Sequence, residues 1–360
     1  MHKKFLLAAL EQAWLGRGLC APNPSVGAVA VRQGHIIAQA WHQGAGQSHA
    51  EKLVIEKLVG DCFNITLYVT LEPCNHWGRT APCVDLIISS GIKRVVYAYR
   101  DPNPVVANND TPARLQHAGI EVIFEPVAEI DAFYQSYHYW TINKRPWLTV
   151  KMAQSFDGNI AGDHGQRLTL SNELCARFTH EKRNHADIIL TTASTINNDN
   201  PLLNVRMNGH EIAKPLAIID SKNRLNPSSK IFTTASHCHI FHGRNHSPTV
   251  CHPNCTYYPI LETEGGIDLQ AVVTHLGRLG YHDVWVEAGK ILFLALHRQK
   301  MVNHTYLYLV PVVLGGDVSQ LYQGYDIFKQ PHTISWLSMG NNMIASLNWL
   351  ESEGRECLPV

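Results

Sequence analysis

The chain has 360 residues, 45% of them hydrophobic and 17% charged, a balance that suits packed globular domains and excludes a disordered chain. Lys plus Arg equals Asp plus Glu at 30 each, so no broad cationic face for long nucleic acid is expected. The length predicts two domains at roughly 100–200 residues each, and no segment approaches the ~20 apolar residues of a membrane span.

The chain opens on an expected helix near 3–16, where Phe5, Leu6, Ala9, Leu10, Ala13 and Trp14 share one face. Two lysines before a short apolar run resemble a signal peptide, but Glu11 and Gln12 interrupt the run and no small-residue cleavage site follows. It reads as a packed helix of a cytoplasmic protein. Strands are expected near 26–31 and 35–40, then a helix from His49 to about Val59. A strand at 65–70 leads to a turn at Glu72-Pro73-Cys74. A helix from Cys83 stops at Gly91, a helix-ending residue, and a strand follows at 94–98. Alternating strands and helices predict an α/β sheet covered by helices.

Pro146 cannot continue a helix and pushes Arg145 extended, so a boundary is expected there, giving domains 1–145 and 146–360. The second half alternates again. Strands are expected at 147–152, 187–192, 216–220, 283–287 and 305–310, with helices near 172–184, 268–279 and from Lys290. The nine cysteines are odd in number and scattered, which argues against a disulfide framework and for metal binding or catalysis at special spacings.

Two short stretches carry that chemistry: His49-Ala50-Glu51, and Pro73-Cys74 followed by Pro82-Cys83. Zinc suits imidazole nitrogen and thiolate sulfur, and a catalytic site keeps three protein ligands. His49, Cys74 and Cys83 are therefore the expected ligands, with zinc lowering the pKa of bound water to about 7. Glu51, at a helix start beside His49, is the expected proton carrier. His-x-Glu with Pro-Cys-x-x-Cys marks zinc deaminases; here eight residues rather than two separate the cysteines.

The segment Leu71-Glu72-Pro73-Cys74-Asn75-His76-Trp77-Gly78-Arg79-Thr80-Ala81-Pro82-Cys83 resembles the long inter-cysteine loop of the bifunctional riboflavin-biosynthesis deaminase–reductases. Asn23-Pro24, Val26-Gly27, Trp41-His42 and Asp101-Pro102-Asn103-Pro104 match that family in order. The resemblance implies a cytidine-deaminase-like three-layer N-terminal domain. Its implied substrate is a diaminopyrimidinone carrying a ribosylamino 5′-phosphate, contacted by Asn23, His42, His76, Arg79 and Asn103. The family's Gly-containing stretch after Asp-Pro-Asn-Pro is replaced by Val105-Val106-Ala107-Asn108-Asn109.

In the second half no Gly-x-Gly-x-x-Gly follows a strand, which argues against an ordinary Rossmann site. Lys151-Met152-Ala153-Gln154-Ser155-Phe156-Asp157-Gly158, Thr195 to Arg206, Asp220-Ser221 and Val286-Glu287-Ala288-Gly289 resemble the family's reductase half. The resemblance implies a dihydrofolate-reductase-like fold using NADPH to reduce ribosyl to ribityl, with Lys151 near the reacting sugar. Arg167, Arg183, Leu203, Arg206 and Glu287 would contact substrate. Ala153, Thr169, Thr195, Asp199, Ser221 and Gly289 would contact NADPH. Arg167 and Thr169 stand where the family commonly has Ser and Trp.

Residues 237–255 hold five His and three Cys at no standard zinc spacing and read as strand plus loop. The expectation is a two-step riboflavin enzyme using Zn2+ and NADPH. It acts on a small molecule, forms a homo-oligomer and has no nucleic-acid or membrane partner. The alternative is a deaminase whose second domain serves only as scaffold.

Overall fold

The computed structural model describes residues 2–77, 81–104, 110–160, 170–247, 251–315, 321 and 325–350. The chain divides into two compact units. One comprises the chain up to Pro146 together with Leu276–His282; the other comprises Trp147–His275 and the chain from Asp283 onward.

The first unit contains α1 (His2–Gly16), β1 (Gly27–Arg32), β2 (His35–Trp41), α2 (Ala50–Ile55), β3 (Ile65–Leu71), α3 (Cys83–Ser90), β4 (Arg94–Tyr99), α4 (Thr111–His117), β5 (Glu121–Phe124) and α5 (Ala128–Asn143). The five strands form one sheet in the order β2-β1-β3-β4-β5. β1 is antiparallel to both neighbours, while β3, β4 and β5 run parallel.

Strand alternation sends Val29 and Val31 to one face and Ala28 and Ala30 to the other. The valines pack with Leu6, Phe133 and Tyr134 from α1 and α5. The alanines pack with Ala50, Val54, Val84 and Leu115 from α2, α3 and α4. Small side chains on that second face suit the close approach of the helices that bring His49 and Cys83 together. α2 stops short of the expected Val59, because hydrogen bonding at Lys57 and Leu58 tightens to the third preceding carbonyl. α3 ends as expected at Gly91, whose φ of 82° needs a residue without Cβ. The sequence reading stopped at 98 in this unit and missed α4, β5 and α5. The apolar spacing of Ile130, Phe133, Tyr134 and Tyr137 is the helical signal it passed over.

The second unit contains β6 (Trp147–Ser155), α6 (Glu173–His185), β7 (Ile188–Thr192), α7 (Ala193–Asp199), β8 (Val205–Met207), β9 (His210–Ile212), β10 (Pro215–Ile219), α8 (Ile231–Thr234), β11 (His237–Gly243), β12 (Cys255–Ile260), β13 (Glu262–Thr263) and β14 (Gly266–Ile267). It continues with α9 (Leu269–Arg278), whose last three residues group with the first unit, then β15 (Asp283–Glu287), α10 (Lys290–Arg298), β16 (His304–Val310), β17 (His332–Met339) and β18 (Asn342–Trp349). Nine strands form a sheet in the order β12-β11-β10-β7-β15-β6-β16-β18-β17. The seven from β12 to β16 are parallel, and β18 turns antiparallel.

The central strands read as near-continuous apolar runs because helices cover both faces. Leu190, Val284, Val286 and Leu148 are all fully buried. The His/Cys-rich stretch forms β11 and the start of β12. Ligands of such sheets bind beyond the carboxyl ends of the parallel strands. Thr192 and Glu287 end their strands and Ser221 lies just past β10, while Lys151 sits mid-strand in β6 beside Glu287.

Candidate active sites

In the first unit two helix starts converge. His49 is the N-cap of α2, in extended conformation, and Glu51 lies in that helix's first turn. Cys83 is the first residue of α3 after Pro82. Cys74 sits in the turn after β3, where its sulfur accepts the backbone N–H of Cys83 at 3.3 Å and its carbonyl accepts that of Val84 at 3.2 Å.

His49 Nδ1 stands 3.2 Å from Cys83 Sγ and 3.5 Å from Cys74 Sγ. The three ligand atoms all lie within 4.8 Å of one another, the one such His, Cys, Asp or Glu group among the described residues. One imidazole and two thiols around a single point suit zinc, and the fourth position is left to solvent and substrate. The electrostatics suit it too. The hydrogen bond from the Cys83 thiol, with that from His49, holds the Cys74 thiol down at about 4. The partnership with Cys74 lifts His49 to about 8. Glu51 is 4% exposed, and burial raises its carboxyl above the usual range.

A cavity of about 320 Å3 opens over this group, and Asn23, His42, His76 and Asn103 line it with Glu72, Asp101, Tyr137 and Trp140. The Nδ1–H of buried His42 donates to the carbonyl of Ser48 at 3.1 Å, so its Nε2 accepts from the Asn23 amide at 3.1 Å. Burial lowers the His42 pKa and keeps the ring neutral. Among the described residues, buried His76 Nδ1 has no hydrogen-bond partner, and a polar ligand edge would satisfy it. Asp101 Oδ1 accepts from Asn103 N at 2.9 Å and Tyr137 Oη at 3.1 Å, and burial raises its carboxyl to about 6. Arg79 lies outside the described residues.

Helix α4 braces the second ligand loop. Arg114 bonds both Asn75, next to Cys74, and Asp85, two residues beyond Cys83. Buried Thr111 donates to the carbonyl of Pro73 at 3.0 Å. Tyr137 and Arg114 were missed because their helices were missed.

In the second unit, register sets Lys151 of β6 directly beside Glu287 of β15. The Lys151 ammonium stands 5.1 Å from the centre of the Tyr308 ring, and burial lowers its pKa. Arg183, in the last turn of α6, makes a two-bond fork to Glu287. Leu203 is buried and has a φ of 49°, unusual for a residue with a side chain; Arg206 is exposed. Asp157 accepts from Ser155, Asn159, Leu314 and Gly315, so the Asp-Gly element ties the end of β6 to the chain after β16.

Thr195 N donates to Thr192 Oγ1 at the start of α7, and Asp199 ends that helix. Ser221 follows β10, and Ala153 pairs with Tyr308. Gly289 is the N-cap of α10 with no side-chain cap and open space where a Cβ would stand. An uncapped helix start at the end of a parallel strand fits the phosphates of a dinucleotide, so these residues fit NADPH. Arg167 and Thr169 lie outside the described residues.

Residues 146–345 match the RibD C-terminal domain family, and residues 1–99 match the cytidine and deoxycytidylate deaminase zinc-binding region. Riboflavin biosynthesis protein RibD of Escherichia coli strain K12 is 32% identical, over 88% of this chain and 89% of that protein. The chain belongs to the RibD family. RibD of Chlamydia trachomatis is 33% identical over 86% of this chain and 84% of its own. A Thermotoga maritima diaminohydroxyphosphoribosylaminopyrimidine deaminase/5-amino-6-(5-phosphoribosylamino)uracil reductase superposes with a TM-score of 0.85 at 29% identity, covering 97% of this chain and 99% of that one. RibD of Acinetobacter baumannii, at 24% identity, shares the fold with the same TM-score. This RibD-family chain thus has the cytidine-deaminase-like and reductase α/β folds expected from its sequence. Among the described residues no helix is long and apolar enough to cross a membrane.

Proposed function

We propose that this RibD-family chain performs two successive steps of riboflavin synthesis, one in each unit. The first hydrolyses the ring amine of 2,5-diamino-6-ribosylamino-4(3H)-pyrimidinone 5′-phosphate. The second reduces the ribosyl group of 5-amino-6-(5-phosphoribosylamino)uracil to ribityl. The observation that carries the reading is the convergence of His49, Cys74 and Cys83 to within 4.8 Å, with Glu51 buried beside them, under a cavity lined by Asn23, His42 and His76.

Zinc held by His49, Cys74 and Cys83 would supply Lewis-acid activation of water. Glu51 takes a proton from the attacking water and delivers it to the departing amine, so water is consumed and ammonia leaves. Burial raises the proton affinity of its carboxylate, so Glu51 accepts the water proton and then carries it to the amine. Asn23, oriented by His42, reads a ring edge together with His76 and Asn103, and Arg79 takes the phosphate.

In the second unit NADPH would supply the hydride. Ala153, Thr195, Asp199, Ser221 and Gly289 hold it, with Thr169. Lys151 keeps an ammonium at the reacting sugar, and Leu203 and Arg206 face the substrate with Arg167. We assign the boundary between the two activities to residues 145–146. The same reading makes the protein a cytoplasmic homo-oligomer that acts on a small molecule and not on nucleic acid; its balanced charge supports that.

The test is zinc analysis of the purified chain, paired with ammonia release and NADPH oxidation on the two substrates in turn. About one zinc per chain with both turnovers is expected. Ammonia release without NADPH oxidation would leave only the deaminase.

A further inference from the structure

Residues Leu276–His282 group with the first unit, far along the chain from the rest of it. They close α9 in a two-bond turn. Gly280 N donates to the carbonyl of Gly277 at 3.0 Å, and Tyr281 N donates to that of Leu276 at 3.2 Å. Gly280 has a φ of 90°, the left-handed residue such a turn requires. Gly277 must be small for a separate reason: a Cβ there would stand 2.3 Å from the carbonyl oxygen of Lys144, just past α5.

The turn delivers three contacts. The indole N–H of Trp140 donates to the carbonyl of Gly277 at 2.8 Å. The buried ring of His282 lies 4.3 Å, centre to centre, from the Trp140 ring and 5.2 Å from that of Tyr137. His282 Nε2 stands 2.9 Å from the carbonyl of Pro22, 260 positions away. A carbonyl can only accept, so Nε2 carries a proton and donates it.

Pro22, Tyr137 and Trp140 all line the cavity over the His49, Cys74 and Cys83 group, and His282 supports them from behind. Each support reaches further. Pro22 precedes Asn23, whose side chain is paired with His42. The Tyr137 hydroxyl donates to Asp101 at 3.1 Å, and Asp101 holds the backbone N–H of Asn103. A buried imidazole held by a hydrogen bond and packed between rings has little freedom, and so fixes what it touches.

We propose that His282 is a positioning residue of the deamination step. It sets Pro22-Asn23, Tyr137 and Trp140 against one another as the back wall of the cavity, with the Gly277 carbonyl holding the Trp140 indole. The inference rests on the deaminase reading above. It deepens that reading by adding to the site a support from beyond the boundary at 145–146.

The deciding variant is His282→Leu. A leucine fills the buried space but neither donates nor stacks. The KM for ammonia release should rise about tenfold, the scale of one hydrogen bond at the ring edge held out of place. The kcat should stay within about threefold, because a wall grips the ring before and during the reaction alike. Zinc should remain about one per chain, and NADPH oxidation on the deaminated substrate should be unaltered. His282→Gln, whose amide can still donate to the Pro22 carbonyl, should return KM to within about threefold of the parent. Trp140→Phe gives up the bond to Gly277 and keeps a ring against His282. It should raise KM less, with the same split, and serves where His282→Leu does not fold. Parent-like KM in a folded His282→Leu, or in Trp140→Phe where that variant serves, would overturn the assignment. So would lost zinc, lost kcat with KM kept, equal loss of both activities, or a His282→Gln no better than His282→Leu. Parent protein that releases no ammonia would instead defeat the deaminase reading itself.

Discussion

Cys83 donates its backbone N–H to the sulfur of Cys74 at 3.3 Å. A single helix start thus offers one metal ligand and steadies the other, favouring thiolate at Cys74. Replacing Cys74 by Ser removes the thiolate whose low pKa this arrangement creates. Zinc content of Cys74→Ser, measured by atomic emission after dialysis, is expected well below one per chain, with ammonia release lost. Full zinc would remove Cys74 from the ligand set.

Glu51 touches the metal site without being needed to hold zinc. Glu51→Gln should keep zinc and lose ammonia release by about 100- to 10,000-fold, the usual worth of a positioned proton carrier. NADPH oxidation on the already deaminated substrate should be unaltered. A variant that turns over normally would contradict the assignment.

Arg114 offers a subtler check. It ties Asn75 to Asp85 and so joins the two ligand-bearing segments. Supporting groups of this kind are typically worth about 10- to 100-fold in metal affinity. Arg114→Ala should lose zinc to a chelator at correspondingly lower concentration and recover deamination when zinc is added back. Chelator resistance equal to the parent would make Arg114 a surface ion pair only.

Asp101 carries a pH signature. Its carboxyl is raised to about 6 by burial, against the opposing hydrogen bonds from Asn103 and Tyr137. The folded state therefore holds this proton more tightly than the unfolded chain, whose carboxyl titrates near about 3.9. The resulting stability is fully present below about pH 4 and is lost as pH rises through about 6. In urea unfolding of chelator-treated protein, the parent minus Asp101→Asn difference should fall between those values and be flat above. A flat difference throughout would show that the carboxyl is not buried in solution.

Lys151 separates the two activities. Lys151→Met should spare deamination and lower NADPH oxidation by at least about 100-fold, because the reacting sugar loses its positioned ammonium. Equal loss of both steps would argue against two independent sites.

Most of the metal site was legible because its signals are local. His49-Ala50-Glu51 and Pro82-Cys83 each sit at a helix start, which is written in a few adjacent residues, whereas Pro73-Cys74 lies in the turn after β3. The reductase half was legible by resemblance more than by physics. Its parallel strands are plain apolar runs, and Leu190 or Val286 says nothing about what stands beside it. The missed segments have a cause each. α5 lay beyond the last strand read, and β17 and β18 alternate only weakly because much of β17 is exposed.

From the chain alone came residue chemistry and local geometry: two thiols and an imidazole for zinc, a carboxylate two positions from the imidazole, and alternating elements that demand a covered sheet. Only the tertiary structure decided which distant groups meet. Arg183 and Glu287 lie 104 positions apart, and their fork exists because β15 pairs with β6 in one register while α6 crosses the same sheet. Strand order and crossover are set by the packing of whole elements, and no spacing along the chain encodes that pairing.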